Sequence, residues 1–193
     1  STHIDVLQKY VAENGFDLGF SFGGDADRLL CVDNEGALVD GDKIIAICSK
    51  AMKKQGRLNG NTAVVTVMSN MGLFSFFEKN GINCEKTKVG DRYVLEKMIE
   101  KGYNIGGEQS GHVIFLDYAT TGDGQLTAVQ ILNVIRTIGR SLKELADENL
   151  VPWIIEVSNQ GQAYDLIKEL LILIVIFLNI NYIKKLTKQN FLY

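Results

Sequence analysis

The tract Gly23-Gly24-Asp25-Ala26-Asp27-Arg28 sets two carboxylates two positions apart, among glycines, and closes on an arginine. Carboxylates so placed can converge on a hard, oxygen-seeking cation such as Mg2+, which takes its remaining ligands from water or phosphate. Glycine permits the tight turn that aims both side chains inward. The planar guanidinium of Arg28 suits a phosphate. A solvated acidic turn is the plainer reading of the same six residues. A calcium-binding EF-hand is excluded, because Leu29 and Leu30 stand where that loop needs ligands and glycine.

A second tract, Gly106-Gly107-Glu108-Gln109-Ser110-Gly111-His112, precedes an apolar run starting at Val113. Glu108 can accept two hydrogen bonds from sugar hydroxyls, and Ser110 can both donate and accept. The competing reading is a polar αβ loop shaped only by its turn. His112 is either a structural hydrogen-bonder or a proton carrier. A third stretch, Lys88-Val89-Gly90-Asp91-Arg92, suits an anionic group near a helix N-terminus. Its alternative is a surface ion pair of Lys88 or Arg92 with Asp91. The run Thr120-Thr121-Gly122-Asp123-Gly124 is explained by helix capping from Thr121 or Asp123.

The elements that must position these residues alternate. Ile4, Leu7 and Val11 recur at helical spacing, and Asn14-Gly15 ends that helix. Strands are predicted over 17–22 and 29–32, the latter forming a hairpin with 37–39 across the turn at Asn34-Glu35-Gly36. Asp42 is expected to cap a helix that runs to Gln55. A strand over 63–67, a helix near 72–79, a strand over 82–89 and a helix over 94–100 follow. A strand over 113–116 leads to a helix over 125–138, with apolar positions at Leu126, Val129, Leu132 and Ile135. Such alternation implies an α/β fold: layered α/β/α units with a mostly parallel sheet. Ligands of such sheets sit at the carboxyl ends of the strands.

Composition narrows the function classes. Of 193 residues, 46% are hydrophobic and 22% charged, close to the globular average, and the net charge of −3 comes with no basic block. A nucleic-acid partner, which needs a cationic stripe, is not expected. Cys31, Cys48 and Cys84 form no CxxC pair and read as buried free thiols of a reducing, cytoplasmic compartment. The first residues have neither a basic nor an apolar leader segment, and no initiator Met, so a fragment or processed chain is expected. The apolar stretch from Leu170 to Ile183 would make a helix of about 21 Å, short of the roughly 30 Å of a bilayer core. It is read as a strand or core helix, a membrane-surface segment, or an aberrant end.

Taken together, GDADRLL, VDGDKI (Val39–Ile44), TVMSNMGL (Thr66–Leu73), KVGDRYV (Lys88–Val94), GGEQSGHVIFLDY (Gly106–Tyr118) and TTGDGQLTAVQ (Thr120–Gln130) resemble the α-D-phosphohexomutase family, in that family's order and spacing. The GEQSGH and TTGDG forms point to its phosphoglucosamine mutase branch. The resemblance covers about 1–149. It implies the C-terminal part of the family's domain 2 over 1–40, with the metal loop, domain 3 over 41–149, with the sugar loop, and a divergent apolar tail over 150–193. It further implies interconversion of glucosamine 6-phosphate and glucosamine 1-phosphate through a phosphoserine and a bisphosphate intermediate, on the route to UDP-N-acetylglucosamine. By position, Asp25 and Asp27 match metal ligands for Mg2+. Arg28, Arg92, Glu108, Ser110 and His112 match substrate contacts, His112 at the rim of the site. The partners so implied are a phosphorylated amino sugar and the remaining domains of the same enzyme, with no membrane.

Two departures qualify that expectation. The family's loop opens with Asp where this chain has Gly23, which removes one anionic ligand of three and weakens Mg2+. No serine stands in the family's Ser-His-Asn-Pro setting, since the only proline is Pro152, so no catalytic serine is present. The expected classes are therefore an inactive enzyme fragment, a non-catalytic sugar-phosphate-binding module, or an interaction protein held by its tail. Another phosphohexomutase specificity is the further alternative.

Overall fold

The computed structural model describes residues 4–149. They fall within one of two compact units, Ser1–Val151 and Pro152–Tyr193, so the expectations for the apolar tail lie outside the described residues. A helix α1 (Ile4–Asn14) leads into β1 (Leu18–Phe22), β2 (Leu29–Asp33) and β3 (Leu38–Val39), a three-stranded sheet that is antiparallel throughout. Gly19 of β1 lies so close to α1 that a Cβ there would meet Val11 Cγ2 at 2.7 Å, which fixes how the helix rests on the sheet.

The second sheet begins after α2 (Gly41–Lys54). Its strands are β4 (Thr62–Thr66), β5 (Asn83–Thr87), β6 (Ile105–Gly107) and β7 (Val113–Phe115), in the order β5-β4-β6-β7. The helices α3 (Met71–Lys79) and α4 (Asp91–Lys101) make the crossovers, and α5 (Gly124–Ile138) and α6 (Leu142–Asn149) follow. Strands β5, β4 and β6 run parallel, and β7 returns antiparallel. Every residue of β4 is buried, as a parallel strand covered on both faces requires.

The alternation of side chains along β4 separates the layers. Ala63 and Val65 join the large core with Ile44, Ile45 and Cys48 of α2 and Leu73, Phe76 and Phe77 of α3. Val64 points the other way, to Val94 and Met98 of α4. Leu29, Cys31 and Val39 of the first sheet belong to the large core too, so both sheets share one interior. Cys31 and Cys48 are buried thiols, and Cys84 is half-buried. Desolvation pushes the Cys48 thiol up to about 12, which keeps it protonated.

Several local expectations change. Asp40, not Asp42, caps α2: its Oδ1 accepts from Lys43 N at 3.1 Å, and Asp42 is instead buried in the first turn. Strand β6 has no periodic signal, being three residues long with two glycines. Packing selects it, since a Cβ on Gly106 would lie 2.7 Å from both Met98 Sδ and Val64 O. Helix α6 begins at a reciprocal cap in which Ser141 N donates to Glu144 Oε2 (2.8 Å) and Glu144 N to Ser141 Oγ (3.2 Å). That S-x-x-E pattern is legible in the sequence. Along α5 the apolar spacing identifies the helix but not its inner face. Thr127, Ala128, Ile131 and Val134 are buried, whereas Val129 and Leu132 are exposed.

Candidate functional site

The acidic tract joins β1 to β2, whose last register pair is Phe22 with Leu29. Gly23 N donates to Arg28 O (3.1 Å) and Ala26 N to Gly23 O (2.9 Å), closing the loop on itself. Ala26 takes a left-handed φ of 59°, an unfavourable conformation for a residue with a Cβ. What holds it there is a bond from Gly124 N to Ala26 O at 2.8 Å, made by the first residue of α5. Gly124 must be glycine for this contact, because a Cβ would meet Arg28 O at 2.6 Å and Ala26 O at 2.9 Å.

A Cβ built on Gly23 lies 3.1 Å from Asp27 Oδ1 and 3.3 Å from Asp25 Oδ1, so positions 23, 25 and 27 face one spot. Asp27 Oδ1 is buried without a hydrogen-bond partner among the described residues. Its neighbours Asp25, His112 and Arg28 hold the Asp27 carboxyl below its ordinary range, against desolvation. Two facing carboxylates repel unless a proton or a cation lies between them. This donor set fits Mg2+ with two protein carboxylates. Among the described residues, no three His, Cys, Asp or Glu side chains gather as a metal group.

The second tract is the turn of the β6–β7 hairpin rather than an αβ loop. Glu108 N donates to His112 O and Gly111 N to Glu108 O, each at 3.0 Å. The turn is fastened on three sides. Leu29 N of β2 donates to Gly111 O (3.0 Å), and Gly41 N of α2 donates to Gln109 O (3.0 Å). On the third side Gly90 N donates to Glu108 Oε1 at 3.0 Å, bringing the β5–α4 loop to the half-buried Glu108. The glycine at 41 is a packing requirement, since a Cβ there would come within 2.0 Å of Glu108 O.

His112 ties the two tracts together. Its Nδ1 lies 3.2 Å from Asp27 Oδ2, and Gly122 N donates to its Nε2 at 3.0 Å. Because Nε2 accepts, the ring proton sits on Nδ1 and is donated to Asp27. The ring is 4% exposed. Both ring nitrogens are thus engaged inside the protein, one beside Asp27 and one by the Gly122 amide.

The remaining expected residues are more open. Arg28 Nε lies 3.6 Å from Asp27 Oδ2, its side chain over half exposed. Ser110 is exposed on the hairpin turn. Arg92 sits in the first turn of α4, and its Nε pairs with Glu96 at 2.7 Å, not with Asp91 as the surface alternative had it. The structure thus joins Asp25, Asp27, Arg28, Glu108 and His112 through direct contacts and the hairpin turn, while the Arg92 side chain turns along its own helix. The sequence reading missed the glycines Gly41, Gly90 and Gly122 as fasteners. Asp123, one of the two capping candidates, is confirmed: its Oδ1 accepts from Leu126 N at 2.9 Å. A cavity of about 160 Å3 lies elsewhere, bounded by Ile47, Ala51, Ile138 and Leu145.

Residues 40–152 match the family described as phosphoglucomutase/phosphomannomutase, alpha/beta/alpha domain III. A phosphoglucosamine mutase of Limosilactobacillus fermentum is 62% identical over 146 residues, which is 76% of this chain and 32% of that protein. The chain thus spans about a third of the length of that curated relative. The crystal structure of a phosphoglucomutase/phosphomannomutase family protein from Burkholderia thailandensis superposes with a TM-score of 0.66 at 23% identity, covering 77% of this chain and 33% of that one. Aspergillus fumigatus N-acetylphosphoglucosamine mutase, solved in complex with GlcNAc-6P and magnesium, superposes with a TM-score of 0.59 at 18% identity, covering 75% and 37%. These two likenesses concern the fold.

Proposed function

The chain belongs to the phosphoglucomutase/phosphomannomutase family, and from that premise we propose that it is the metal-loop and sugar-loop portion of a phosphoglucosamine mutase. The reaction is the interconversion of glucosamine 6-phosphate and glucosamine 1-phosphate through a phosphoserine and a bisphosphate intermediate, in the cytoplasm, toward UDP-N-acetylglucosamine. Residues 1–40 act as the end of domain 2 and 41–149 as domain 3. The observation that carries this reading is the His112–Asp27 contact, which brings the acidic loop and the GEQSGH hairpin side by side.

The residues have separable tasks. Glu108, anchored through Oε1 by Gly90 N–H, accepts from sugar hydroxyls with its remaining capacity, and Ser110 adds a donor beside it. Arg28 and Arg92 offer guanidinium groups to phosphate oxygens. Asp25 and Asp27 would hold Mg2+, which supplies positive charge against the phosphoryl oxygens. His112 keeps Asp27 in place and excludes water from one side of it. The sequence contains no serine in a Ser-His-Asn-Pro setting to donate a phosphoryl group, so these 193 residues alone bind without turnover.

Titration of the isotope-labelled chain with glucosamine 6-phosphate tests the reading. Amide shifts are expected at Gly90 and over 108–112, and absent shifts there would defeat the assignment. A coupled assay for glucosamine 1-phosphate is expected to show no product, and measurable turnover would contradict the inactivity of this chain. A second reading, a sugar-phosphate-binding relative that never catalyses, draws on Gly23, which leaves two carboxylates where the family has three.

A further inference from the structure

Outside the site, one buried acid stands apart. The Asp42 side chain is fully buried, and its Oδ2 accepts from Asn70 N at 2.6 Å. Its Oδ1 and the neighbouring Ser69 Oγ are both buried without a hydrogen-bond partner among the described residues. Ser69 and Asn70 form the turn between the carboxyl end of β4 and α3, and Asn70 Oδ1 in turn caps α3 through Gly72 N at 2.8 Å. The two residues before Asp42 grip a different loop. Asp40 Oδ2 accepts from Gln109 Nε2 (3.1 Å), and Gly41 N donates to Gln109 O (3.0 Å). Three consecutive residues of one helix end therefore hold both the β4–α3 turn and the Glu108 hairpin.

We infer that Asp42 is a positioning residue, a proton-sensitive latch whose buried carboxylate clamps the Ser69–Asn70 turn to the same helix end that carries the Glu108 hairpin. Protonated, the carboxyl grips the Asn70 N–H through Oδ2 with no buried charge to desolvate. Ionised, it holds that amide by a charge-assisted bond but carries a buried charge whose desolvation is the larger influence, so the clamp opens more readily. The titratable groups that face it are Asp40 at the helix cap, which disfavours its charge, and the Cys84 thiol of β5, which its charge helps to keep protonated. Desolvation is the largest influence, and the carboxyl is pushed up to about 6. The latch therefore changes state within the range of ordinary buffers. Its consequence for sugar binding rests on the function proposed above, whereas the latch itself does not.

Amide hydrogen exchange on the full chain, corrected for intrinsic rates and referenced to Val64 and Val65 of β4, reads the latch without any substrate. Protection over 68–72 is expected to fall about five- to tenfold as the pH passes from 5 to 8 in the parent chain. Asp42→Asn is expected to abolish that step while keeping the fold, and Asp42→Ala to lower protection over 68–72 at both pH values. An identical pH step in Asp42→Asn would overturn the latch, as would unchanged protection in Asp42→Ala. A normal latch with no shift on adding glucosamine 6-phosphate would count against the proposed function alone.

Discussion

Asp27 and His112, 85 positions apart in sequence, lie 3.2 Å apart through Oδ2 and Nδ1, and the other ring nitrogen of His112 is held by the Gly122 amide. One buried imidazole thereby fixes three segments: the acidic loop, the β6–β7 hairpin and the approach to α5.

His112→Ala removes both bonds and leaves the Gly122 N–H and one Asp27 oxygen without their partner. A loss of about 2–4 kcal/mol in urea denaturation is expected, together with weaker Mg2+ binding by calorimetry. Parent-like stability would mean that the ring is a bystander.

Gly23→Asp places a third carboxylate 3.1–3.3 Å, measured at its Cβ, from the existing two oxygens. Without metal the added repulsion should lower the melting temperature. With Mg2+ the affinity should rise about tenfold or more, since charge count among the ligands sets affinity for hard cations. Calorimetry returning equal affinities would falsify the placement of position 23 in the metal site.

Ala26→Gly relieves the left-handed backbone at φ 59°. An increase in stability of roughly 0.5–1 kcal/mol is expected, because glycine adopts this conformation without a Cβ clash, partly offset by its greater freedom when unfolded. A clear loss of stability in thermal melts would show that the Ala26 methyl group matters more than the strain.

Asp42 gives a stability profile with a defined sign. Its folded pKa of about 6 stands above the unfolded value near 3.9, raised first by desolvation. The folded state holds the extra proton, so the stabilisation is fully present below about pH 4 and is lost as pH rises through about 6. Asp42→Asn carries no charge to bury and should exceed the parent by about 1–3 kcal/mol at pH 8, with the difference closing toward pH 4. Coincident urea curves at pH 8 would rule this out.

Glu108→Gln keeps an acceptor for Gly90 N–H but removes the charge. It should cost less than about 1 kcal/mol in stability yet weaken glucosamine 6-phosphate binding as read by the amide-shift titration. Unchanged binding would remove Glu108 from the sugar contacts.

Most of the element order, the α/β class and the chemistry-bearing loops were legible because they rest on local signals: apolar periodicity, turn glycines and the joint spacing of GDADR, KVGDR and GEQSGH. Short contacts between distant segments were not legible. Nothing local marks β6 as a strand, since its glycines are selected by the nearness of Met98 and Val64 O. Nothing local moves the α2 cap from Asp42 to Asp40 or sends Asp42 inward to the Asn70 amide. Spacing along the chain names the side chains that can bind a cation or a sugar. Only the folded packing decides that His112 spends both nitrogens on Asp27 and Gly122, because a hydrogen bond between residues 85 positions apart depends on where two sheets meet and not on either neighbourhood in sequence.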